Sequence, residues 1–128
     1  MSYYLAKTVS MPFDEAVART TEALKQEGFG IITEVDIRDT LKQKIGVDFR
    51  PYRILGACNP ALAYEALQIE DKVGTMLPCN VIVQEVSPGQ VEVATIDPVA
   101  SMQAIGNPDL AKKAEAVRQK LQSAIARL

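Results

Sequence analysis

Val81-Ile82-Val83-Gln84-Glu85-Val86-Ser87-Pro88-Gly89-Gln90-Val91-Glu92-Val93-Ala94-Thr95 reads as two strands joined by a tight turn. The first lies within Met76 to Val86 and takes in the end of an apolar run from Met76 to Val83, in which Val81-Ile82-Val83 is too continuously apolar for an exposed surface. Ser87-Pro88-Gly89-Gln90 has turn chemistry: proline presets one backbone angle, and glycine reaches conformations closed to other residues. Val91, Val93 and Thr95 then alternate with Glu92 and Ala94, the two-residue period of a strand with one buried face. So short a connection returns the chain antiparallel, which makes at least part of the sheet antiparallel.

Outward from this hairpin, the residues Tyr4 to Val9 read as a first strand. Ser10 offers a cap and Pro12 a first-turn residue to a helix whose stripe is Phe13, Ala16, Val17, Thr20, Ala23 and Leu24, ending at Gly28. Gly30 to Val35 is a second strand, and Asp36 caps a short helix with Ile37, Leu41 and Ile45 inward and Gly46 at its end. Tyr52 to Cys58 is the third strand. Asn59-Pro60 starts a helix that carries Ala61, Tyr64 and Leu67 on one side and stops before Gly74. After the hairpin, Asp97-Pro98 and Asn107-Pro108 repeat the cap-plus-proline signal, and Leu110, Ala114, Val117, Leu121, Ile125 and Leu128 form the stripe of a long last helix. The expected architecture is a single α+β domain over 1–128, with a five-stranded antiparallel sheet covered on one face by helices and a long C-terminal helix. That helix covers the sheet or packs across a dimer axis.

Composition removes several function classes. The chain of 128 residues is 48% apolar and 23% charged, enough for one core. Its net charge of −2 argues against nucleic acid. The cations Arg38, Lys42, Lys44, Arg50 and Arg53 share their stretch with Glu34, Asp36, Asp39 and Asp48, as a solvated, internally paired surface does. No run is long enough to span a membrane, and the start Met1-Ser2-Tyr3-Tyr4 lacks the pattern of an export signal, so a cytoplasmic location is expected. There is no histidine, hence no Ser-His-Asp or Cys-His couple and no imidazole metal ligand. No glycine-rich phosphate loop occurs, and no cofactor is expected.

What remains distinctive is Gly56-Ala57-Cys58-Asn59-Pro60, echoed by Leu77-Pro78-Cys79-Asn80. Cys58 and Cys79, the two cysteines, each sit at the end of an apolar strand, and Cys58 precedes a helix start, a setting that favours thiolate. They read either as a redox-active or metal-binding thiol pair, or as small buried fillers, the commoner fate of free cysteine. A closed zinc site needs four ligands, so two thiolates would require further donors, and no metal is assigned. Asn59 reads as a helix cap. Asn80, interrupting an apolar run, reads equally as a buried structural amide or as a ligand contact. Glu34, Asp36 and Arg53 meet if the second and third strands pair, as an anchor for a substrate acid or as a solvated ion pair. Tyr3, Tyr4, Tyr52 and Tyr64 serve a pocket or core and rim packing.

The blocks Thr33-Glu34-Val35-Asp36-Ile37 with Leu41-Lys42 and Gly46-Val47, Tyr52–Pro60, and Met76–Val83 resemble the domain of unknown function 302 family. The resemblance extends from the first strand to the fifth. It implies a TBP-like α+β fold, a curved antiparallel sheet with a helix layer, and pairing as a homodimer. Relatives carry glycine-asparagine-proline where this chain has Ala57-Cys58-Asn59-Pro60, which makes the cysteines a subgroup feature. No activity follows from it, since fold does not determine function. The reading is a small ligand-binding or accessory domain without catalytic turnover, with Cys58, Asn59, Cys79, Asn80, Arg53 and Glu34 as candidate contacts. The alternative is a thiol-dependent redox or thiolate metal-binding protein using Cys58 and Cys79.

Overall fold

The computed structural model describes residues 2–128. Its strands are β1 (Tyr4–Ser10), β2 (Gly30–Asp36), β3 (Tyr52–Cys58), β4 (Cys79–Ser87) and β5 (Gln90–Ile96), arranged β1-β5-β4-β3-β2 with every neighbouring pair antiparallel. The hairpin opens at Gly89, whose φ of 75° is glycine's own, after a bulge between Glu85 and Ser87. Helices α1 (Phe13–Gln26), α3 (Pro60–Ile69) and α5 (Pro108–Ala126) form the layer on one side. The shorter α2 (Ile37–Ile45) and α4 (Pro98–Ser101) sit at strand ends.

Side-chain caps start most of these helices where the sequence places them. Asp36 accepts from the Asp39 amide at 2.9 Å, Asn59 from Leu62 at 3.2 Å, Asp97 from Val99 at 3.0 Å, and Asn107 from Asp109 and Leu110 at 2.9 and 3.2 Å. The exception is α1. Pro12 stands at its cap position and no side chain caps it; Ser10 is instead the last residue of β1, with its hydroxyl on Gln90 across the sheet. Strand pairing uses Ser10 before the helix can.

Two clusters of buried side chains hold the layers together. The main one joins Val81, Val83, Val91 and Val93 to Ala16 and Leu24 of α1 and to Leu121 and Ala124 of α5. The C-terminal stripe therefore covers the sheet. A minor cluster of Ala66, Val73 and Leu110 lies under α3 and a 3-10 segment, Asp71–Met76, where the sequence had suggested only the end of a helix. Two expected faces are reversed or lost. On α3 the inward residue is Ala66, while Tyr64 and Leu67 are exposed, because the 3-10 segment and α5 pack on the opposite side from that stripe. In α2 nothing is fully buried and Ile45 is 67% exposed, since this helix packs mainly on β2 and β3 and adds no residue to either core cluster.

Candidate functional site

The ends of β3 and β4 place the two cysteines close together. Ala57 is directly opposite Cys79 across the ladder, so Cys58 lies one step beyond, at the start of α3. Strand alternation turns Cys79 toward the helices with Val81 and Val83, and it is buried, whereas Cys58 is half-buried. Both are free thiols, not a disulfide. The same alternation sends Asn80 to the other face of the sheet, where it is exposed. The expectation of a buried amide beside the cysteines is thereby corrected: a polar residue between two inward ones on a strand is how an open face is written.

Between the main and minor clusters lies a cavity of about 300 Å³, open on one side. Phe29, Ala57 and Cys79 bound it from the main core, Ala66 and Leu110 from the minor one, and Cys58 and Asn59 stand at the junction of β3 and α3. Small side chains create the space. Ala57, Ala63, Ala66 and Ala114 each present a methyl group where the sheet end, α3 and α5 converge. Leu77 and Pro78, joined by a cis peptide bond, complete one wall. The charged member is Lys113, half-exposed and 3.1 Å from Glu65 on α3. Asn59 is primarily the cap of α3; its side-chain nitrogen packs so close over Gly28 that a Cβ built there would stand 3.0 Å from it.

Burial, and secondarily the neighbouring Cys58, push the Cys79 thiol up from an ordinary 9.0 to about 11. Near neutral pH it is a neutral, apolar filler of the cavity wall and a poor nucleophile. A stability consequence follows. In the unfolded chain the thiol ionises near 9.0, in the folded one near about 11, so its burial is unpenalised below the lower value. The contribution is lost as pH rises through that window, to a limit of about 2–3 kcal/mol. Guanidinium titrations across it are expected to show wild type losing stability relative to Cys79→Ala, because the remaining titrations are common to both. Parallel curves would mean that water reaches the thiol.

Arg53 and Glu34 meet as the strand pairing requires, but elsewhere. The Arg53 guanidinium is 3.1 Å from Glu34 Oε1 and 3.5 Å from Asp36 Oδ2, and 5.5 Å from the Phe13 ring centroid. Five residues along β3 separate it from Cys58, roughly 17 Å of strand. The six sequence candidates thus divide three ways: Cys58, Asn59 and Cys79 on the cavity, Arg53 and Glu34 at the far end of β3, and Asn80 on the open face. Sequence reasoning missed Phe29 and Lys113, and quoted Leu77 in its motif without giving it a role; the signal for an opening here was the alanines at 57, 63 and 66 in apolar context. Among the described residues no group of three or more cysteine, aspartate or glutamate side chains is placed to hold a metal ion, and no helix is long and apolar enough to cross a membrane.

The molecule is thus an α+β protein with a single-sided helix layer and an apolar cavity where sheet and helices meet. Residues 5–128 match the family model described as domain of unknown function DUF302, and the chain belongs to that family. It is similar to a solved structure, the uncharacterized conserved protein DUF302 from Bacillus stearothermophilus, at 30% identity and a TM-score of 0.91 over 99% of this chain and 98% of that one. No curated protein matches.

Proposed function

We propose that this chain is a small-molecule-binding domain without catalytic turnover, and that its ligand is a compact, mostly apolar molecule seated against Cys58 and Cys79. The observation that carries this is the cavity itself, about 300 Å³ and lined almost wholly by carbon and two thiols. That volume falls at the lower end of ligand sites. An engineered apolar cavity of about 150 Å³ takes benzene, so this one suits a bicyclic molecule. A neutral Cys79 and an Lys113 already paired with Glu65 supply contact and orientation more readily than bond-making. The same state of Cys79 disfavours the redox or thiolate alternative. The proposal takes the chain to work as a homodimer in the cytoplasm, where free thiols persist.

Calorimetric titration with 1-naphthol tests the ligand reading. Binding is expected for wild type, and Ala63→Phe, which fills the cavity from a half-buried helix position, is expected to weaken it at least about tenfold. No binding, or binding that Ala63→Phe leaves unchanged, would remove the cavity as the site. Native mass spectrometry of freshly purified protein would then reveal any retained cargo.

A further inference from the structure

We infer that two copies of this chain pair through the open face of the sheet, with a two-fold axis running along β4. This rests on the homodimer reading above and assigns it a surface.

The face turned away from α1 and α5 carries an unbroken apolar row, one residue per strand. Ala6 pairs with Ala94, Ala94 with Ile82, Ile82 with Ile54, and Ile54 with Val35, so the row crosses all five strands from edge to edge. Val35 remains 41% exposed and Tyr4, beside the row's Ala6 end, 44%. Beside the row runs a polar one, Thr8, Glu92, Gln84 and Tyr52, also in register. An apolar band of this kind left facing water needs a partner.

Size and charge both single out a second copy. The row is graded: small at the β1 end, large at the β2 end, with Ile82 at its centre. A two-fold axis in the interface and parallel to the strands lays one row antiparallel on the other. Ile82 then meets its own mate, Ala94 meets the mate's Ile54, and Ala6 meets its Val35, so each small residue is filled by a large one. An axis along the row would instead set alanine on alanine and leave gaps. In the polar row, the same operation brings Glu92 over the β3 position of the other copy, Tyr52, beside Arg50. Within one chain Arg50 already reaches Gln84 Oε1 at 2.9 Å, and Gln84 in turn donates to Glu92 at 2.8 Å. The charged groups on the face are Glu92 and, from the segment before β3, Arg50, and the same operation sets each Glu92 toward the mate's Arg50 rather than on its own kind, so the face is charge-complementary to a copy of itself. Such an interface is isologous, and the packing is that of two aligned sheets. Five strands paired over about seven residues give a projected face of roughly 550 Å², which side-chain relief raises toward about 800 Å² per partner, the size of a standard interface.

Sedimentation equilibrium at tens of micromolar tests this. Wild type is expected to be a dimer, and Ile82→Lys, which places two ammonium groups together on the axis, to raise the dissociation constant about 100-fold or more. Tyr64→Lys on exposed α3 is expected to leave the dimer intact. Ile82→Cys with a short bismaleimide is expected to give a covalent dimer in high yield, and wild type treated alike is not. Retained 1-naphthol binding by monomeric Ile82→Lys would show the loss of pairing to be local. A monomeric wild type would overturn both the homodimer and this interface while leaving the cavity reading untouched. A dimer insensitive to Ile82→Lys, with no crosslink at that position, would overturn this face alone.

Discussion

Gly56→Ala is expected to cost the fold about 1–3 kcal/mol and to weaken binding at the cavity at the same time. Gly56 lies in the middle of β3, between Thr33 on β2 and Asn80 on β4. A Cβ added there would stand 2.7 Å from Pro78 Cγ and 3.3 Å from Thr33 Cβ, and would overlap the Thr33 hydroxyl. The hydroxyl can rotate away; the Pro78 ring has no such freedom, and the residue after it is Cys79. The strain is relieved only by moving the segment that forms one wall of the cavity. Guanidinium denaturation followed by far-UV circular dichroism reads the first effect, and 1-naphthol titration the second. A variant with wild-type stability would mean that the Leu77-Pro78 segment yields without cost. Wild-type affinity in a destabilised variant would mean that the wall and the strand move independently.

A larger loss is expected from Arg118→Met, about 2–4 kcal/mol, because it strands a buried carboxylate. Asp97 is 5% exposed and follows the end of β5. One carboxylate oxygen caps α4 through the Val99 amide at 3.0 Å, and the other accepts from Arg118 Nε on α5 at 3.0 Å. Its backbone amide also bonds the Tyr3 carbonyl at 2.8 Å. One residue thus links β5, α4, α5 and the start of β1. The Arg118 side chain is 30% exposed, so water can reach part of the pair, and the effect falls short of a fully dry ion pair. Asp97→Asn combined with Arg118→Met is expected to recover part of the loss, since a neutral amide still accepts from Val99 and leaves no unpaired charge. Additive losses in the double variant would show that the two side chains act separately.

The parts of the fold that were legible are those where local chemistry and tertiary packing agree. The hairpin of β4 and β5 has turn residues that fit only a turn, flanked by runs that fit only strands. The long stripe from Leu110 to Leu128 has one apolar face, which marks the helix; that this face covers the sheet was decided by the core around Leu121 and Ala124. The caps at Asp36, Asn59, Asp97 and Asn107 are short-range hydrogen bonds that the sequence writes directly. Failures fall where two inward directions compete. On α3, alanines and larger apolar residues occur on both sides, and the stripe through Tyr64 and Leu67 was the wrong one because the minor cluster forms on Ala66. Asn80 looked buried because its neighbours are apolar, yet alternation puts it outside.

The candidate site was half visible for the same reason. Cys58, Asn59 and Cys79 were marked by their own chemistry, and strand register brings them together. The cavity beside them is a property of space that no single segment contains. It exists because four alanines from β3, α3 and α5 face one another across a gap between two separate core clusters.

The sequence by itself determined the antiparallel hairpin, the order of strands and helices, the capped starts of α2, α3, α4 and α5, and the absence of imidazole chemistry. Each of these depends on residues within a few positions of one another, or on composition alone. Only the tertiary structure decided which face of the sheet lies open, how Ala6, Ala94, Ile82, Ile54 and Val35 line up across five strands, and that Cys79 is a neutral wall of a cavity. Those outcomes depend on register and on the volumes left where distant elements meet, and both are fixed only when the whole chain packs.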